Sequence, residues 1–103
     1  MIKVISGGVT APKGFEAAGV EAGIKYENRK DMALIYSALP CIGAGTFTSN
    51  IVKAAPVKWD KKLIEESPYL QAVIVNTGIA NAGTGKEGMD CAEETAKTAA
   101  EAL

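Results

Sequence analysis

An α/β domain is the fold class that this 103-residue sequence predicts, on three observations. Two apolar runs, Ala33-Leu34-Ile35-Tyr36-Ser37-Ala38-Leu39 and Leu70-Gln71-Ala72-Val73-Ile74-Val75, have the length and residue content of strands. From Gly85 onward the spacing is helical instead, with Met89, Ala92, Ala96, Ala99 and Leu103 recurring at three- and four-residue steps. The composition, 48% hydrophobic and 22% charged, is that of an ordinary globular protein and excludes a disordered or fibrous class.

Size and charge narrow the possible roles. At this length residues 1–103 are expected to form one domain, or part of one. The net charge is −1, with 11 basic and 12 acidic residues spread along the chain, so no footprint for nucleic acid is visible. No apolar run approaches the roughly 20 residues that span a bilayer. Met1-Ile2-Lys3 leads into a strand-like run and not a signal peptide, so no membrane partner and a cytoplasmic location are expected. Histidine is absent, which removes any Ser-His or Cys-His catalytic pair formed within this chain. Cys41 and Cys91 follow no metal-ligand spacing and are expected as small buried hydrophobes, with no metal site.

Taken in order, Ile2 to Ile5 reads as a short strand, followed by an irregular loop from Ser6 to Gly14. Between Phe15 and Lys25 alanine favours helix while Gly19 and Gly23 weaken it, so helix and extended chain both remain open. The Ala33–Leu39 strand follows a polar turn, Asn28-Arg29-Lys30-Asp31, and is expected to stop at Pro40. Ala44-Gly45-Thr46-Phe47-Thr48 is a second strand candidate, joined to the first by Cys41-Ile42-Gly43 in a hairpin. Ser49-Asn50 is expected to cap a short helix through Ile51-Val52-Lys53 that Pro56 closes. Asp60 is expected to cap a helix from Lys61 to Glu66, with Leu63 and Ile64 buried, Pro68 as the stop, and Lys61, Lys62, Glu65 and Glu66 as a solvated face. Trp59, with Lys53, Lys58, Lys61 and Lys62 around it, reads as a surface anchor for that helix. Thr84-Gly85-Lys86-Glu87 has the form of a capping box, which starts the last helix near Gly85. The small-residue face of that helix is suited to lie against a sheet. No stop signal follows Leu103, which implies a piece of something longer.

The candidate site is the stretch Asn76-Thr77-Gly78-Ile79-Ala80-Asn81-Ala82-Gly83-Thr84-Gly85, a glycine-rich turn between a strand and a helix. Such turns direct backbone N–H groups toward a bound group, and glycine permits close approach. Asn76, Thr77, Gly78 and Asn81 are the candidate substrate-binding residues, as one wall of a pocket. The competing reading is a rigid turn whose asparagines satisfy backbone groups. Thr84 is read as a helix cap, and Gly7-Gly8 lacks the pattern of a phosphate-binding loop. No catalytic residue is assigned within the chain.

Four stretches together resemble the N-terminal part of the bifunctional ornithine acetyltransferase (glutamate N-acetyltransferase) family of arginine biosynthesis. They are Gly8-Val9-Thr10-Ala11-Pro12-Lys13-Gly14-Phe15 with Ala17-Ala18-Gly19; Asp31-Met32-Ala33-Leu34-Ile35; Thr46-Phe47-Thr48-Ser49-Asn50 with Lys53-Ala54-Ala55-Pro56-Val57; and Asn76-Thr77-Gly78 with Ala80-Asn81-Ala82 and Thr84-Gly85. The family usually has asparagine at the place of Ile79 and cysteine at that of Gly83, so no side-chain contact is carried onto those two positions.

The resemblance implies a fragment of a layered α-β-β-α fold of the self-processing N-terminal-threonine hydrolase and transferase type. It implies a ping-pong transfer of acetyl from N2-acetylornithine to glutamate, with acetyl-CoA as a possible further donor and no other cofactor. The family precursor cuts itself before a threonine that follows alanine, and that threonine is the nucleophile. No Ala-Thr step occurs here, so the nucleophile is expected outside this chain, on a β chain, and the 103 residues alone are expected to be inactive. The implied partners are the remainder of the α chain and that β chain, in an assembly of two α and two β chains. A small-ligand or anion-binding α/β module, and a self-processing amidase or aminopeptidase of the same fold, are the alternative functions.

Overall fold

The computed structural model describes residues 1–25, 27–79 and 83–103. Three strands and two helices make it a mixed α/β structure: β1 (Phe15–Val20), β2 (Met32–Cys41), α1 (Ala55–Glu66), β3 (Leu70–Asn76) and α2 (Gly85–Ala102). The chain divides into two compact units, Met1–Cys41 with Gln71–Gly78, and Ile42–Leu70 with Ile79–Leu103.

The first unit is a sheet in the order β1-β2-β3. Between Phe15 and Lys25 the choice falls on extended chain up to Val20, because β1 pairs antiparallel with β2 from Phe15↔Ser37 to Val20↔Met32. That ladder satisfies backbone groups that a glycine-weakened helix would hold less well. β2 does not stop at Pro40 but runs to Cys41. Pro40 lies beyond Ser37, the last residue paired with β1, where a missing N–H costs no bond to that strand. Ile2 to Ile5 is not a strand: among the described residues it has no ladder partner, and Ile2 is 95% exposed. The loop after it carries a single 3-10 turn at Gly8–Thr10.

The second unit holds α1 and α2, which pack on each other. The expected hairpin strand over 44–48 is absent, and β2 takes β1 as its antiparallel partner instead. Side chains crowd this segment: a Cβ on Gly43 would lie 2.5 Å from Leu70 Cδ1 and 2.9 Å from Ile64 Cδ1, and one on Gly45 would lie 2.9 Å from the Phe47 ring. The expected helix over 51–53 is also absent. Asn50 N–H donates to Thr48 Oγ1 at 3.2 Å, a local turn, and the helix begins only at Ala55.

Pro56 thus opens α1 where the sequence reading has it closing a helix, since the first turn needs no N–H from it. Asp60 is consequently interior to α1 and not its cap, and partial burial pushes its carboxyl above the ordinary value. Leu63 and Ile64 are half-buried, the charges at 61, 62, 65 and 66 are exposed, and Ser67 N–H closes the helix on Leu63 C=O at 2.8 Å. Trp59 is half-buried with Lys62 Nζ 5.8 Å from its ring centroid, as fits a surface anchor.

α2 starts at Gly85 as its spacing predicts, without the capping box. Thr84 has helical dihedrals (φ −84°, ψ −6°) and not the extended ones a capping side chain needs, and it makes no cap hydrogen bond. Met89, Ala92, Ala96 and Ala99 are half-buried, and the helix carrying this face packs on α1. Leu103 is exposed, and so is Cys91, in contrast to the buried role expected for it. Cys41 is half-buried, with Sγ 3.3 Å from Ser37 Oγ. Glu93 and Lys97 pair at 2.9 Å on the outer side of α2.

Gly88 marks the close approach of the two helices. The Thr84 side chain fills the space a Cβ on Gly88 would need, and that Cβ would stand 3.6 Å from Ala55 Cβ, the one buried apolar residue among those described, at 4% exposure. Gly88→Ala is expected to lower stability by about 1–3 kcal/mol by overpacking this crossing. Denaturant unfolding measures it, and an unchanged midpoint would remove Gly88 from the packing argument.

Candidate functional site

The glycine-rich turn is divided between the units. Asn76, Thr77 and Gly78 belong to the first, and Gly83, Thr84 and Gly85 to the second; Asn81 lies outside the described residues.

At the end of β3, Thr77 N–H donates to Asp31 C=O at 3.0 Å. Asp31 N–H donates in turn to Val20 C=O, also at 3.0 Å, so one residue joins the end of β1 to the end of β3. Its carboxylate faces the loop after β1. Oδ1 accepts from Ala22 N–H at 2.7 Å and Oδ2 from Ile24 N–H at 2.8 Å. Gly23, at φ +71°, makes the bend that lets both flanking N–H groups converge on one carboxylate.

Asp31 is 3% exposed, and these N–H groups, Ala22 first and Ile24 next, hold its carboxyl below the ordinary 3.8. Hydrogen bonds to the ionised form outweigh the opposing effect of desolvation.

The loop so held brings Lys25 beside the turn. Gly78 has φ +102°, and a Cβ there would stand 3.0 Å from Lys25 Cβ. Asn76 and Thr77 are exposed and Gly78 is half-buried. The structure thus places Lys25, which sequence reasoning passed over, beside Gly78, the last of three consecutive candidate residues. Asp31 was also missed as a site determinant. Its one sequence mark is a carboxylate directly before a strand, eight residues after Gly23.

In the second unit a groove of about 280 Å³ lies between the 51–53 segment and the first turns of both helices. Lys53, Lys58, Thr84 and Met89 are among its lining residues. Thr84, read as a cap, is thus a groove residue.

A sequence model of the ArgJ family matches residues 16–103. The chain belongs to the ArgJ family. It is 50% identical over 99 residues to the arginine biosynthesis bifunctional protein ArgJ of Gloeobacter violaceus, covering 96% of this chain and 24% of that protein. With its namesake from Symbiobacterium thermophilum the identity is 52% over 101 residues, covering 96% of this chain and 25% of that one. The chain thus spans about a quarter of the length of these ArgJ relatives.

Solved structures agree. The chain superposes on ArgJ of Bacillus halodurans with a TM-score of 0.86 and 45% identity, covering 92% of this chain and 49% of that one. An ornithine acetyltransferase from Mycobacterium tuberculosis, solved in complex with ornithine, matches with a TM-score of 0.79 and 49% identity over 85% of this chain and 46% of that one. The α/β class read from the sequence and the family resemblance both hold, and the fold is that of the ArgJ structures.

Two changes test the turn. Gly78→Ala is expected to cost about 1–2 kcal/mol, because the left-handed backbone disfavours a Cβ and Lys25 must shift; a cost near zero would mean the turn relaxes freely. Asp31→Asn is expected to remove a pH-dependent share of stability. With its folded pKa lowered, Asp31 contributes above its unfolded value and loses that contribution as pH falls through the folded one. Melting curves of the two forms should separate at neutral pH and converge in acid below about pH 4; a constant separation would rule out the carboxylate as the cause.

Proposed function

We propose that this chain is a segment of an acetyltransferase that moves acetyl from N2-acetylornithine to glutamate by a ping-pong route, releasing ornithine and forming N-acetylglutamate. The observation that carries the proposal is the 49% identity and shared backbone with an ornithine acetyltransferase that was solved holding ornithine. The nucleophile is a threonine outside these residues, at the start of a second chain made by self-cleavage. Acetyl-CoA is a further candidate donor.

Chain lengths support cleavage. Residues 1–103 match about a quarter of the curated ArgJ proteins but about half of the chain in the Bacillus structure, so that chain is roughly half as long as the curated ones. On this reading the partners are the rest of the α chain and the β chain, assembled as two of each in the cytoplasm. The 103 residues are one domain or part of one, and inactive alone. Asn76, Thr77, Gly78 and Asn81 form a wall of the substrate pocket.

The parent polypeptide tests this directly. Intact mass and N-terminal sequencing should find two chains, the second beginning with threonine, and the preparation should form N-acetylglutamate from N2-acetylornithine and glutamate. One uncut chain without transfer would defeat the proposal. Asn76→Ala in the active parent is expected to raise KM about tenfold, the loss of one hydrogen bond of about 1.4 kcal/mol, with kcat little changed. An unaltered KM would leave Asn76 a purely structural turn residue.

A further inference from the structure

Gly78 is bracketed by two contacts that both start at Asp31. On one side Thr77 N–H, in the peptide just before it, rests on Asp31 C=O at 3.0 Å. On the other stands Lys25, with Cβ 3.0 Å and Cδ 3.8 Å from the place of a Cβ on Gly78, so that its stem lies along the glycine. Lys25 directly follows Ile24, whose N–H donates to Asp31 Oδ2 at 2.8 Å. The carboxylate thus sets where the Lys25 stem sits, and the stem limits how far Gly78 can move.

Two features make this linkage stiff. Asp31 is buried with both oxygens taken, Oδ1 by Ala22 N–H at 2.7 Å and Oδ2 by Ile24 N–H, and such charge-assisted bonds are about twice as strong as neutral ones. The loop between β1 and β2 is also tied a second time, where Asn28 N–H donates to Glu21 Oε1 at 2.8 Å. All of these residues belong to the first compact unit, so the whole linkage lies inside one body.

We propose that Asp31 is a positioning residue for substrate binding: its carboxylate, acting through the Lys25 stem, holds Thr77 and Gly78 where a bound amino-acid substrate meets them. This rests on the reading above, that Asn76, Thr77 and Gly78 form a wall of the substrate pocket. Asp31 itself is buried and its oxygens are occupied, so it touches no substrate. A wall fixed before the substrate arrives spares binding the cost of ordering it. Losing the clamp therefore weakens substrate binding and leaves the chemical step, carried by a threonine outside these residues, nearly unchanged.

Steady-state kinetics on variants of the full parent enzyme test this. Asp31→Asn, which sets an amide donor against one of the two N–H groups, is expected to raise KM for N2-acetylornithine about tenfold with kcat within about twofold, the size of one charge-assisted hydrogen bond. Lys25→Gly keeps the carboxylate and removes the stem; it is expected to raise KM by a similar factor, and the double variant to be no worse than either single one, because the two act in series. Gly88→Ala, which strains the helix crossing in the second unit, is expected to lower stability without moving KM. An unchanged KM in Lys25→Gly, which does not depend on an Asp31 variant that folds, would overturn the proposal. So would a double variant worse by the product of the two single effects, or an equal rise of KM in Gly88→Ala. Hydrogen exchange of the Thr77 amide, read on the same samples, needs no activity and separates this proposal from the one it rests on. Faster exchange in both variants of a parent that makes no N-acetylglutamate upholds the clamp and sinks the transferase; unchanged exchange in a parent that does transfer sinks the clamp alone.

Discussion

The geometry of the candidate site depends on the Asp31 carboxylate. It accepts from Ala22 and Ile24 N–H, while its own N–H and C=O reach Val20 and Thr77. Four backbone links from one residue therefore hold the end of β1, the loop after it and the turn after β3. A carboxylate suits this place because it offers two acceptor oxygens and no donor, matching two converging N–H groups without leaving a buried group unpaired. Without it the 21–25 loop would lose its anchor, Lys25 its position beside Gly78, and Thr77 the stable carbonyl on which it rests.

The elements most legible in the sequence were those whose signal is carried within one window. β2 and β3 are apolar runs bounded by turn-forming residues, α2 has a clear helical period, and each is present. The segments that misled are those in which one local signal permits two outcomes. Pro40 and Pro56 both read as stops, yet one sits beyond the ladder to β1 and the other in the first turn of α1, where proline is welcome. For residues 15–20 propensity was balanced, and only the ladder with β2 decided it. Thr84 to Glu87 has the letters of a capping box, but the backbone enters α2 already helical, so the reciprocal bonds cannot form.

For the candidate site, only the shape of the turn was legible. Glycines in the Asn76–Gly85 stretch announced a shaped turn, and Gly78 does take a backbone that favours glycine. What could not be read was the second half of the arrangement. Asp31 acts on residues seven and nine positions earlier in the chain, and Lys25 meets Gly78 only because the sheet brings β1 and β3 to the same end. Such pairings follow from topology, and periodicity is silent about topology. The family resemblance did contain Asp31 at the head of Asp31-Met32-Ala33-Leu34-Ile35, but as a letter in a pattern without the physical role that the hydrogen bonds assign to it.

Burial completes the argument. The buried residues among those described are Asp31 and Ser37, both polar, and the small apolar Ala55. The larger apolar side chains of the sheet and of the helix pair, such as Leu34, Ile35, Leu63, Ile64 and Met89, are covered only in part, and Val20, Leu39, Val73 and Val75 are exposed. Hydrophobic stabilisation scales with apolar area removed from water, while the entropy lost on ordering scales with the number of residues. With so little closed core, polar links such as those of Asp31 carry a larger share of the order of these residues than they would in a well-buried domain. The apolar run of β3 shows the mismatch most clearly: Val73, Ile74 and Val75 have the residue types of a covered strand, yet Val73 and Val75 are 56% and 49% exposed.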